Sequence, residues 1–138
     1  MSAVLVDAGA LIALLDRSDG HHDAAARSIA TLTDTLLTLM PAVTEAMHLL
    51  ARVPRGQDAL FELIEDEAVS LADLGEPDFR RMKTLMRKYR SLPMDFADAA
   101  LVRVAERERI TRILTFNRHF GIYALPGRAR FKNLGDST

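Results

Sequence analysis

At 138 residues and 49% hydrophobic content, the chain is long enough for one domain with a buried core, spanning 1–138, and too short for two. It contains no cysteine, which excludes disulfides, thiolate zinc sites and thiol nucleophiles and leaves any metal to oxygen or imidazole donors. The net charge of −1 conceals an asymmetry: residues 1–69 carry 4 basic and 11 acidic side chains, residues 70–138 carry 14 and 8. A second half at +6 against a first half at −7 can attract phosphate without a high isoelectric point, although ordinary solvated helix faces also produce such a split.

The start of the chain lacks the basic segment of a secretory signal, and Asp7 and Asp16 interrupt its apolar stretch well short of a membrane span. A soluble, cytoplasmic protein without a membrane partner is expected. Residues 3–6 form a short, branched, apolar run ending at Asp7, the pattern of a buried central strand. Residues 10–15 read as helix, Ser18-Asp19-Gly20 as a break, and 22–32 as a helix with Ala25, Ile29 and Leu32 on one face. A second strand is expected over 36–40. A helix over 44–52 follows Pro41, with Glu45 in its first turn.

Beyond the break at Pro54-Arg55-Gly56, the spacing predicts a helix over 57–66, a short strand over 68–71, and a long helix over 76–89. That last helix turns Phe79, Met82 and Met86 inward and a dense basic face outward, from Arg80 to Arg90. A helix over 95–107, a strand over 113–115, a short turn or helix over 117–120 and an edge strand within 128–133 complete the pass. Strands alternating with helices imply parallel pairing, hence a three-layer α/β/α sandwich around a mainly parallel sheet of four to five strands.

Asp7, Glu45 and Asp98, far apart in sequence, all fall at element boundaries, where an open parallel sheet gathers its functional groups. If the first and fourth strands are neighbours, Asp7 and Asn117 face the helix starts bearing Glu45 and Asp98. Two carboxylates about 5 Å apart repel by roughly 3 kcal/mol at an effective dielectric near 20, so such a cluster calls for a proton or a cation. Hard oxygen donors favour Mg2+ or Mn2+, which suits phosphate chemistry. Asp95, three residues before Asp98, is a good helix N-cap that could also support the site, and Thr115 is a supporting hydroxyl. His21 and His22 read as helix-entry residues; Arg118 and His119 flank Asn117, where a phosphate contact and plain surface exposure explain them equally well.

These stretches resemble the PIN-domain ribonucleases, specifically the VapC-type toxins of bacterial toxin–antitoxin pairs. The matching residues are Val4-Leu5-Val6-Asp7-Ala8-Gly9-Ala10-Leu11, Pro41-Ala42-Val43-Thr44-Glu45-Ala46, Asp95-Phe96-Ala97-Asp98-Ala99 and Ile113-Leu114-Thr115-Phe116-Asn117-Arg118-His119-Phe120. The resemblance implies a metal-dependent endoribonuclease in which a metal-activated water cleaves RNA, with Asp7, Glu45 and Asp98 as metal ligands. It also implies a homodimer silenced by a VapB-like antitoxin. The family's fourth acid falls at Asn117, whose amide adds no charge. A rival reading is therefore a PIN-like module that binds RNA or antitoxin without cutting. A phosphoacceptor receiver domain, the second rival, expects an acidic pair close to the first strand and a lysine after a late strand, and the chain offers neither clearly.

Overall fold

The computed structural model describes residues 2–135. Five strands form one parallel sheet: β1 (Ala3–Val6), β2 (Thr35–Thr38), β3 (Val69–Leu71), β4 (Arg112–Leu114) and β5 (Lys132–Asn133). Their spatial order is β3-β2-β1-β4-β5. The chain thus winds outward from β1 through β2 to β3, then returns to lay β4 against the other side of β1. This reversal opens a crevice beyond the carboxyl ends of β1 and β4, the position where ligands bind in open α/β sheets. The conditional pairing of first and fourth strands is realised, through Leu5 with Ile113 and Val6 with Leu114.

Alternation along β1 divides the core. Val4 and Val6 point to one face, where they pack with helices α1 (Ala8–Leu15), α3 (Met40–Leu50) and α4 (Gly56–Glu65). Leu5 points to the other, against α5 (Glu76–Lys88), α6 (Phe96–Glu108) and the segment carrying Phe120, Tyr123 and Phe131. Helix α2 (His22–Ala30) adds Ile29 to the first face. Val4, Leu5 and Val6 are wholly buried, as a strand covered by helices on both sides must be. The structure is the three-layer sandwich expected.

Several boundaries differ from the sequence expectation, each for a local reason. Helix α1 begins at Ala8, because the Asp7 carboxylate accepts a hydrogen bond from the Ala10 N–H (2.9 Å) and caps it. Strand β2 stops at Thr38, and α3 starts at Met40 with Pro41 in its first turn, where the missing N–H costs nothing. Glu45 consequently lies in the second turn of α3, not the first. Phe79 is the clearest departure: Met82 and Leu85 face the core, whereas Phe79 is 51% exposed and meets Phe96 edge-on at 5.7 Å.

Candidate active site

The two strand ends and two helices at the switch point bring the expected acids together. Asp7 follows β1, Glu45 comes from α3, and Asp95 and Asp98 sit at the start of α6. With Asn117 they line one cavity of about 330 Å3, at the small end of the range for ligand sites. Asp19, His21 and Phe116 complete its rim. No lysine or arginine lines it.

Asp7 lies deepest, at 7% exposure. One of its oxygens takes the Ala10 N–H and the other takes the Thr115 hydroxyl. The Thr115 oxygen in turn accepts the Asn117 N–H (3.0 Å), and the Asn133 side-chain carbonyl from β5 accepts the Thr115 N–H (3.2 Å). A chain of contacts thus runs from the sheet edge to the buried acid. Thr115, expected as a supporting residue, is its hub. The Thr44 hydroxyl donates to the Met40 carbonyl within its own helix.

Asp95 caps α6 through the Asp98 N–H (2.8 Å). Asp98 is half-buried, and its carboxylate accepts the Tyr123 hydroxyl (3.2 Å). Tyr123 is itself wholly buried among Tyr89 and Phe120. Asn117 turns its carbonyl oxygen back to accept the His119 N–H (3.0 Å), capping a 3-10 turn, Arg118–Gly121. Its unspent groups are the second lone pair and the amide donors.

Asp7, Glu45 and Asp98 are each shifted toward holding their protons. Burial raises the pKa of Asp7 against the lowering effect of its Thr115 and Ala10 bonds, and Asp95 adds repulsion. Burial also raises Glu45, with further contributions from the Asp95 and Asp7 charges. Asp98 is pushed up to about 7, by burial first and then by Asp95 and Asp7. Burial and the facing Asp98 push the Tyr123 hydroxyl up as well, so it stays a donor.

Five carboxylates lining a small cavity without a lysine or arginine, Asp7, Glu45, Asp95, Asp98 and, at the rim, Asp19, are a donor set that fits a divalent cation. Among the described residues, no three aspartate, glutamate or histidine side chains are gathered tightly enough to grip one ion directly as they stand.

The PIN domain family matches residues 4–125 of the chain. The chain belongs to the PIN-domain family. Within that family it is similar to Ribonuclease VapC26 of Mycobacterium tuberculosis, at 32% identity over 133 residues, covering 93% of this chain and 97% of that protein. Among solved structures, the PIN fold here matches VapC20 of Mycobacterium tuberculosis, described as a Sarcin-Ricin loop cleaving toxin, with a TM-score of 0.77 at 19% identity. That match covers 83% of this chain and 90% of VapC20. PAE2754 from Pyrobaculum aerophilum matches with a TM-score of 0.56 and 22% identity over 96% of this chain and 90% of its own. This is therefore a VapC-like PIN domain.

Four residues at the PIN pocket escaped the sequence reading: Tyr123, His21, Phe116 and Asp19. Tyr123 follows Asn117 by only six positions, but nothing in its flanking residues signals that the chain folds back to Asp98. Histidine at 21 was read by its place before a helix, which is correct; its ring, however, lies on Phe116 at the cavity rim. Arg118 and His119 do not line the cavity.

Proposed function

We propose that this protein is a divalent-metal-dependent endoribonuclease of the VapC toxin type, working in the cytoplasm as one domain over 1–138. The observation that carries this reading is the convergence of Asp7, Glu45 and Asp98, with Asp95, on one cavity at the switch point of the sheet. Asp7, Glu45 and Asp98 would hold Mg2+ or Mn2+. When bound, the ion offsets charge developing on the phosphate and makes water more acidic.

The chain's own groups prepare the site. The Thr115 and Ala10 donors fix the Asp7 carboxylate, and the Tyr123 hydroxyl fixes that of Asp98. An Asn117 amide hydrogen is available to a non-bridging phosphate oxygen. The cavity offers neither a cysteine nor a serine nucleophile; in this reading water attacks phosphorus as the ester P–O bond breaks, and the departing oxygen takes a proton from solvent. A lining carboxylate accepts the attacking water's proton.

The surroundings fit RNA and protein partners. An apolar face of Met40, Leu71, Phe79 and Phe96 adjoins Glu45 and Asp95, and leads to exposed Arg80, Lys83, Arg87 and Arg90 along α5. The basic rim suits an RNA backbone or an acidic antitoxin segment, and the apolar part suits a VapB-like antitoxin or a second copy. No helix among the described residues is long and apolar enough to cross a membrane.

Cleavage of a single-stranded RNA by the purified protein, with Mn2+, Mg2+ or chelator, tests the reading. Cutting should require the metal and should fall at least 100-fold in Asp7→Asn and Asp98→Asn, on the scale of losing an electrostatic catalytic group. Undiminished cutting by either variant, or cutting in excess chelator, would refute it.

A further inference from the structure

We propose that His21, backed by Phe116, is a stacking platform for one nucleobase of the RNA strand, next to the phosphate held over the acids. The proposal rests on the ribonuclease reading above.

The imidazole of His21 lies flat on the Phe116 ring, with centroids 4.3 Å apart and planes 7° from parallel. Both residues line the same cavity as Asp7, Asp98 and Asn117. His21 is exposed and lines the cavity, and Phe116 backs one face of its imidazole. A parallel aromatic pair at a solvent boundary extends naturally by one more flat ring, and a nucleobase is the flat ring an RNA strand carries beside each phosphate.

The pair is held in place beforehand. The loop leading to His21 has Asp16 accepting both the Ser18 N–H and hydroxyl, and Asp19 accepting the His21 N–H (2.8 Å). His22 anchors the next position through Nδ1 to the Ala13 carbonyl (2.7 Å). On the other side, Phe116 lies so close to Gly135 that a Cβ there would stand 3.1 Å from its ring and 2.5 Å from the Thr115 carbonyl. Two rings ordered by separate segments give little core burial on the His21 side, so the order serves contact with a ligand better than stability.

Charge points the same way. The cavity wall has no lysine or arginine, so at this end of the strand no basic side chain pairs with the phosphates. Stacking on an aromatic face supplies affinity with little dependence on base identity. The imidazole's π face is the working part in this assignment, and its nitrogens are not.

His21→Phe and His21→Ala separate the two. Cleavage of a single-stranded RNA of mixed sequence, followed as KM and kcat in Mn2+, should show KM raised about 5- to 150-fold in His21→Ala, with kcat little changed and His21→Phe close to wild type. Binding of the same RNA carrying 2-aminopurine, in Ca2+, should quench its fluorescence for wild type and His21→Phe but not for His21→Ala. Equal melting temperatures exclude misfolding. The platform is overturned if His21→Ala matches wild type, or if His21→Phe is as impaired as His21→Ala. Quenching without any cleavage would keep the platform and sink the nuclease, whereas cleavage indifferent to His21 would do the reverse.

Discussion

Asp98 concentrates the electrostatic tension of the site. Its pKa of about 7 against an ordinary value of 3.8 means that the folded protein keeps a proton there which the unfolded chain releases. Between those two values the folded state therefore binds more protons, and stability falls as pH rises, reaching its floor above about 7. In chelator, the melting temperature should be lower at pH 8 than at pH 5, and Asp98→Asn should flatten that slope and melt higher at pH 8, by roughly 5 °C or more. Thermal scans across pH check both, and added Mn2+ should recover the loss for wild type alone. Tyr123 invites the complementary experiment. Removing its hydroxyl in Tyr123→Phe leaves the buried ring in place but frees the Asp98 carboxylate to rotate. Mn2+ affinity, read by calorimetry, should weaken about 10-fold, with the fold's stability changed by only about 1 kcal/mol; an unaltered affinity would show that the tyrosine is packing alone.

Elements explain which parts of the site could be read ahead. Asp7 was legible because an apolar strand ending at an acid is a local pattern, and Asp98 because a capping aspartate three residues earlier marks the helix start. Glu45 was placed one turn too early in α3, since Pro41 sits inside the first turn of the helix and not before it. Phe79 was turned inward by a periodicity argument that α5 does not obey, because the helix buries Met82 and Leu85 and leaves Phe79 to Phe96. Tyr123, Phe116 and Asn133 depend on how the segment after β4 folds back, and no spacing rule reaches that far. At the start of α6, cap and charge are separable in one residue. Asp95→Asn keeps an acceptor suited to capping and deletes a charge that raises Asp7, Glu45 and Asp98 together. The variant should melt higher than wild type in chelator and bind Mn2+ more weakly, measured by the two assays above; Asp95→Ala, lacking the cap, should melt lower than Asp95→Asn.

For the whole molecule, the distribution of exposed apolar side chains matters more than the small net charge. Met40 at 58%, Phe79 at 51% and Phe96 at 44% exposure adjoin one another beside the acids, which is the kind of contiguous apolar surface that self-association or a protein partner covers. Light scattering should give a dimer mass, and Phe79→Asp with Phe96→Asp should shift it to monomer without unfolding the chain. A monomeric wild type would leave the face to another protein.

The last strand has a consequence for anyone handling this protein. Asn133 sits beyond residue 125, where the family match stops, yet its side chain fixes the Thr115 backbone whose hydroxyl steadies Asp7. The C-terminal ribbon is thus a buttress of the acidic cavity, and trimming the chain back to residue 125, where the family match stops, would loosen the deepest acid from behind without touching any residue that lines the cavity.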